Sequence, residues 1–395
     1  MKILITTDFF APAVNGVVTS VLSLVHGLEK RGHTVRILTL SATPHTHVDG
    51  NVIYLGSYNA SRIYPGVRIL KSCPAAILEE LIRWQPNVVH SQCEWFTFRI
   101  ARQIARRCGA PLIHTDHTVY EAYTHYVLPH VRVDQKLVAW LTRQILNRTD
   151  AVIAPTEKIR QLLSSDRVRT PVTVIPTGLE ESALLPPPHP QDRAACRRRF
   201  GIPTDAKVLL YLGRLAKEKN IPFLFRLLCR PELRDVMLVL AGDGPYRPQL
   251  ENMVRAQHLT ARVRFLGMVP HTKVARFYQL SDLFVNASHS ETQGLTYLEA
   301  MAARIPVVCL ADPCVSGLIE NGLTGYACNS ERAMAQAIVL LLHNASLRAR
   351  MVQAASERIA EAYTSDAFAA AVETLYLRII AQKRMVYMAT DSGRQ

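Results

Sequence analysis

Short apolar runs alternate along this chain with longer stretches in which apolar positions recur every three or four residues. In the first half, KILITT (2–7), TVRILTL (34–40), NVVHSQ (87–92), PLIHTDHT (111–118), DAVIAPT (150–156) and VTVIPTG (172–178) are too short for helices. They are rich in β-branched residues and predict strands. VVTSVLSLVHGLEKRG (17–32) and FTFRIARQIARRCG (96–109) carry helical periods, and each stops at a glycine. Strands alternating with helices predict parallel βαβ units, an α/β architecture.

The pattern then breaks at ALLPPPHPQD (183–192), where four prolines resist both helix and ladder. It resumes with KVLLYLG (207–213), VMLVLAG (236–242), RVRFLG (262–267), DLFVNAS (282–288) and IPVVCL (305–310), with helical stretches between them. The expected organisation is a first Rossmann-like domain over 1–182, a Pro-rich linker over 183–192 and a second Rossmann-like domain over 193–364. A last helix, 365–395, returns to the first domain and ends in a frayed tail. Ligands of such sheets lie beyond the carboxyl ends of the strands. Asp8, His90, His117, Gly213, Gly242, Gly267 and Ser288 all fall there, which points to one site between two facing domains.

Composition narrows the classes. With 395 residues and 49% hydrophobic content, the chain can bury large cores and is not disordered. No run approaches the roughly 18 apolar residues of a membrane span, and MKILITTDFF reads as a strand rather than a leader. A cytoplasmic protein is expected. The eight cysteines are scattered without a C-x-x-C pair, so neither a zinc site nor a disulfide framework is expected. The net charge of +14 favours anionic partners: nucleic acid, acidic membrane or phosphorylated substrates. Residues 1–180 hold 20 Lys/Arg and 13 Asp/Glu, and the remainder 26 and 19, so both parts carry +7 and no basic arm stands apart. No nucleic-acid motif accompanies the charge.

Several stretches carry candidate chemistry, each beside a plainer structural reading. In SETQGLTYLEA (290–300), Glu291 and Glu299 flank the turn Gly294-Leu295-Thr296. Thr296 and Glu299 have the form of a capping box, with Ser290 and Gln293 as a weaker match; equally, the turn and helix start could hold a phosphate while the acids bind hydroxyls. LGRLAKEKN places Arg214 and Lys219 in a glycine-started loop, suited to a diphosphate or simply to solvent. AGDGPYRPQLE lacks the third glycine of a dinucleotide loop. Asn15-Gly16 stands at a helix entrance, as a turn or as a close backbone approach to ligand. HTDHTVYEAYTHY (114–126) concentrates His, Asp and Tyr, able to bond sugar hydroxyls or move protons. After it, Arg132, Lys136, Arg143 and Arg148 intersperse with Trp140 and aliphatic residues, either a sheet-packed helix or one that lies on an anionic membrane.

NGVV (15–18), the His/Tyr stretch, VIAPTEKIR (152–160), VIPTG, GRLAKEKN and the E-x7-E of SETQGLTYLEA, in that order, resemble a retaining glycosyltransferase of family 4. That resemblance implies the GT-B fold of two facing Rossmann-like domains with an interdomain cleft. Tyr120, Tyr123, His125 and Tyr126, with PTEK and SETQGLT, are similar to bacterial 1,2-diacylglycerol 3-alpha-glucosyltransferases. The resemblance implies that Arg214 and Lys219 hold the donor diphosphate, Glu299 the ribose, and Glu291 the donor sugar beside Gly294, Leu295 and Thr296. It places Gly16 near the phosphates and His117 near the transferred sugar. The sequence departs at TDHT, where related enzymes often have TYHT, and at Cys93, where a threonine is common; both departures concern the acceptor. The implied reaction moves glucose from a UDP-sugar, UDP-glucose, to diacylglycerol. It needs no metal or other cofactor, and it has a protein peripheral on an anionic membrane and no nucleic acid partner. Rival readings are a water-soluble acceptor and a nucleotide-sugar-binding module without turnover.

Overall fold

A computed structural model describes the chain except residues 12, 14, 62–65, 118–134, 185, 187, 188, 270–273 and 393–395. Tyr120, Tyr123, His125, Tyr126 and Arg132 therefore lie outside the described residues. The chain divides into two compact units, Met1–Gly178 with Ser365–Gln395, and Leu179–Thr364.

The first unit is built on strands β1 (Lys2–Thr6), β2 (Thr34–Leu40), β3 (His47–Asp49), β4 (Val52–Leu55), β5 (Ser57–Asn59), β6 (Arg68–Leu70), β7 (Val88–Ser91), β8 (Leu112–Thr115), β9 (Ala151–Ala154) and β10 (Val172–Val174). Eight of them form one sheet in the order β10-β9-β8-β7-β1-β2-β4-β3, while β5 and β6 pair separately. All pairs in the large sheet are parallel except β3 with β4. Strands β7, β8 and β9 are buried along their whole length, as a parallel sheet covered on both faces requires. The helix Gly16–Lys30 begins where Asn15 Oδ1 accepts the Val18 N–H at 2.9 Å, and the chain turns out of it at Gly32 (φ +82°).

The final helix, Ser365–Ser392, belongs to this unit. Phe368, Val372, Leu375, Tyr376 and Ile379 share a buried cluster with Ile3, Ile5, Val21 and Leu24. Each such burial stabilises by roughly 1.5–3 kcal/mol, enough together to fix the helix. The approach is close: a Cβ on Gly27 would lie 2.6 Å from the Ala369 Cβ and 2.6 Å from the Ser365 carbonyl oxygen.

The second unit carries β11 (Lys207–Leu212), β12 (Val236–Ala241), β13 (Val263–Gly267), β14 (Leu283–Asn286), β15 (Val307–Leu310) and β16 (Tyr326–Cys328). Their order is β13-β12-β11-β14-β15-β16, all parallel, the doubly wound order of a dinucleotide-binding sheet. Apolar side chains fill a cluster on each face.

The boundary differs from the expected linker over 183–192. The Leu179 N–H donates to the Tyr363 carbonyl at 2.7 Å, and Leu179 is buried in the second unit's core. Ala183 and Leu184 pack on the same core, and the Pro186 carbonyl accepts from Gln279 Nε2 at 2.9 Å. The helix Pro190–Arg199 opens inside the proline-rich stretch, because proline at the first helical position has no N–H to lose and a suitable φ. The proline-rich segment is thus part of the second unit rather than a free spacer.

Candidate active site

In the second unit the strand order reverses between β11 and β14, and both loops leaving their carboxyl ends carry charged residues. After β11 come Gly213 (φ +149°), Arg214 and the short 3₁₀ turn Lys217–Lys219; after β14 come Ser288, Ser290 and Glu291. The two loops are tied together. Asn220 Nδ2 donates to the Ala287 carbonyl at 3.2 Å, and Lys219 Nζ donates to Glu291 Oε1 at 2.8 Å. The side chains of Lys219 and Glu291 are only 13% and 15% exposed. Arg214 bonds Glu218 Oε1 at 2.5 Å, and its own carbonyl accepts from the buried Tyr211 hydroxyl at 3.0 Å. Neither cation is therefore a plain solvated charge, and both are held in defined places next to acids.

Beside them, backbone passes very close to backbone. A Cβ on Gly242 would meet the Gly213 carbonyl oxygen at 2.0 Å, and one on Gly244 the Leu215 carbonyl oxygen at 2.3 Å. The glycines of AGDG thus let the loop after β12 lie against the loop that carries Arg214.

The turn at Gly294 corrects the expected capping box. The helix runs Leu295–Ala302, its cap residue is Gly294 in the left-handed region (φ +74°), and no side chain caps it. Thr296 lies inside the helix, and a Cβ on Gly294 would fall 2.4 Å from the Tyr297 ring, so the ring dictates the glycine. Glu299 points elsewhere: its Oε2 accepts from the Tyr278 hydroxyl at 2.7 Å. Burial pushes its carboxyl up to about 7, against the opposing effect of the Tyr278 hydrogen bond. Leu295 and Thr296 occupy the first turn, where backbone N–H groups have no intrahelical acceptor and can face an anion.

In the first unit the order reverses between β1 and β7. Asp8, after β1, is not a free acid. Its carboxylate accepts the N–H groups of Phe96 at 3.1 Å and Thr97 at 2.9 Å, opening the helix Phe96–Cys108. His90 is structural as well: Nδ1 meets the Tyr376 hydroxyl at 2.6 Å and Nε2 the Thr115 hydroxyl at 2.8 Å. Two further pairs stand at these strand ends, His117 Nε2 with Gln92 Oε1 at 2.7 Å and His114 Nε2 with Glu94 Oε1 at 3.2 Å. Burial lowers the His117 imidazole to about 4, with Glu94 opposing and His114 adding to the fall. His117 is neutral at pH 7 and can exchange a hydrogen bond with a hydroxyl. Gly16 is the first residue of its helix, where its N–H has no intrahelical acceptor.

The partners Gln92, Glu94, Glu218 and Tyr278 were not singled out by the sequence. Gln92 ends the NVVHSQ run, Glu94 follows Cys93 and Glu218 stands inside GRLAKEKN, so proximity to the motifs was the available signal. Of the expected membrane residues, Lys136, Trp140 and Arg143 lie on the helix Gln135–Leu146, and Arg148 follows it. Leu137, Trp140 and Leu141 form an exposed apolar stripe at i, i+3, i+4. Among the described residues, no helix is long and apolar enough to cross a membrane. All eight cysteines are free thiols.

Two sheets of this kind, each with its polar residues at the point of strand reversal, define an enzyme of the GT-B class. Residues 14–182 match Glycosyltransferase Family 4, and residues 192–358 match Glycosyl transferases group 1. The chain belongs to this glycosyltransferase family and is a transferase. It is 35% identical to the Alpha-monoglucosyldiacylglycerol synthase of Streptococcus pneumoniae R6, over 86% of this chain and 78% of that protein. It is 28% identical to the Alpha-monoglucosyldiacylglycerol synthase of Acholeplasma laidlawii, over 96% and 98%. The crystal structure of Anabaena HepE in complex with UDP-glucose shares the fold, with a TM-score of 0.74 at 17% identity over 95% of this chain and 99% of that one.

Proposed function

We propose that this enzyme transfers glucose from UDP-glucose to the free hydroxyl of diacylglycerol, with retention of the anomeric configuration. The observation that carries the donor half is the pairing of Lys219 with Glu291 across the β11 and β14 loops, beside Arg214 and the Gly294 turn. A diphosphate draws the two cations from their carboxylates, since it offers more charge and more acceptor oxygens. Glu299 accepts from the ribose hydroxyls, and Glu291 from the hydroxyls of the sugar. As the glycosidic bond breaks, negative charge grows on the diphosphate, and Arg214, Lys219 and the first-turn N–H groups of Leu295 and Thr296 stabilise it there. The acceptor proton passes to the departing phosphate oxygen. Neutral His117, and Gly16 at its helix start, serve the sugar and the phosphates respectively. In this reading the cations do the work of a metal, and none is required.

The acceptor half is supported by the two relatives whose names carry monoglucosyldiacylglycerol. It is further supported by the Leu137, Trp140, Leu141 stripe with Lys136, Arg143, Arg148 and Arg132 near it in sequence, a composition suited to an anionic bilayer surface. In this account the enzyme works at the inner face of the cell membrane. The experiment is a competition of acceptors: UDP-glucose with diacylglycerol liposomes, with empty liposomes, and with soluble sugars. UDP release that requires diacylglycerol supports the reading; release driven equally by a soluble sugar overturns the acceptor.

A further inference from the structure

The helix Phe96–Cys108 is amphipathic in an unusual way. Its inner face, with Phe98, Ile100, Ala101, Ile104 and Ala105, is buried. Its outer face carries Arg99, Arg102 and Arg106 at i, i+3 and i+7, one line along the helix. Arg107 is beside them but engaged: it holds both carboxylate oxygens of Glu79, at 2.5 and 3.2 Å. Among the described residues, the guanidinium groups of Arg99, Arg102, Arg106 and Arg148 form no ion pair and no hydrogen bond with any side chain. They nevertheless crowd one another. The Arg102 guanidinium is held below the usual arginine range first by burial and then by the charges of Arg106 and Arg148.

Like charges brought together without a counter-charge raise the energy of the folded state, and ordinary surfaces intersperse opposite signs. Arg99, Arg102, Arg106 and Arg107 line a depression of about 250 Å³, with Gln103 adding a neutral donor, and Arg148 adds its charge beside Arg102. A group with three or more acceptor oxygens suits such an arrangement, because each guanidinium fork can bind two of them. The helix C-terminus favours the charge of Arg106 there.

We infer that the outer face of the helix Phe96–Cys108 is a binding site for a phosphate group, formed by Arg99, Arg102 and Arg106 with Arg148 and Gln103. The site is separate from the residues at the strand ends and does not depend on the diacylglycerol reading. The phosphate can be that of a lipid headgroup or of a soluble phosphoester, and the two sources are separable.

The test compares the parent with an Arg99→Gln/Arg102→Gln/Arg106→Gln variant and with the corresponding triple lysine variant. One arm is sedimentation with phosphatidylcholine vesicles containing or lacking phosphatidylglycerol. The other is titration with inorganic pyrophosphate in saturating UDP, followed by the arginine Nε–H resonances of Arg99, Arg102 and Arg106. Each cation near an anionic surface contributes about fivefold in partitioning, so a lipid phosphate predicts a loss on the order of 100-fold in the glutamine variant. A soluble phosphate predicts movement of those three resonances in the parent with vesicle binding unchanged between variants. Binding by the lysine variant that falls between the other two supports fork recognition. The inference is overturned if the resonances stay still and all three proteins sediment alike, or if the lysine variant sediments like the parent and also equals it in pyrophosphate affinity measured by calorimetry. Because both readouts are of binding, they stand whatever the acceptor of the reaction proves to be.

Discussion

Lys219 Nζ lies 2.8 Å from Glu291 Oε1, joining two loops whose residues are 72 positions apart in sequence. The pair is mostly buried, so removing one member is costly to the other. Lys219→Ala should therefore lower turnover by roughly 10²–10³-fold and also destabilise the fold by about 1–3 kcal/mol, through loss of a charge-assisted hydrogen bond to a mostly buried acid. The double variant Lys219→Met/Glu291→Gln separates the two effects. It should recover most of the melting temperature and none of the activity. Activity recovered along with stability would make the pair structural only.

Arg214 stands in the same loop with Glu218, and Arg214→Ala should cost a similar 10²–10³-fold in turnover. Its partner Glu218 is only 5% exposed, so the melting temperature should fall as well. Near-normal turnover at saturating donor would remove Arg214 from the diphosphate site.

Glu299 gives a pH dependence of definite sign. Its carboxyl is raised to about 7 in the folded protein from an ordinary value of 4.5. The folded state thus favours the protonated form. That contribution to stability is complete below the unfolded value and is lost as pH rises through about 7. Glu299→Gln should raise the melting temperature at pH 8 and leave it nearly unchanged at pH 4. With the proposed ribose hydroxyls donating to the carboxylate, UDP should bind more tightly above pH 7 and release a proton on binding below it. Calorimetry in buffers of different ionisation enthalpy measures that proton, and no proton release at pH 6 would contradict the ribose role.

The fold was largely legible because parallel strands buried on both faces leave continuous apolar runs, as in KVLLYLG and VMLVLAG. The short strands β3 to β6 and β16 were not, since three or four residues are too few to show a period. The boundary at Leu179 was hidden too, because it is set by the contact with Tyr363 and not by composition. At the site, Glu291, Glu299, Arg214 and Lys219 could be picked out, but not the pairing of Lys219 with Glu291, nor the partners Glu218 and Tyr278. Thr296 looked like a cap because T-x-x-E is a local pattern. The Tyr297 ring, a tertiary constraint, makes Gly294 the cap instead.

Gly294→Ala tests that constraint. A Cβ there meets the Tyr297 ring at 2.4 Å and requires a left-handed backbone, so the variant should lose about 1–3 kcal/mol. Thr296→Ala, by contrast, should cost little stability. If Thr296→Ala proved the more damaging in thermal unfolding, the capping box would have to be restored.

His117, at about 4, is neutral across the working range. Its lowered value favours the folded state above the ordinary histidine value of 6.5, a contribution lost as pH falls through 4. The imidazole resonances of His117 should not titrate between pH 5.5 and 8. A midpoint near 6.5 in the parent would contradict the buried, Gln92-bonded state.

The most direct measurement is proton NMR of the lipid extract after incubation with UDP-glucose and diacylglycerol vesicles. The account predicts a new glyceroglycolipid with an α-linked glucose, the configuration of the donor, formed in step with free UDP and absent with Lys219→Met/Glu291→Gln. A β-linked product would contradict retention, and an extract without glycolipid while the donor is consumed would contradict the diacylglycerol acceptor.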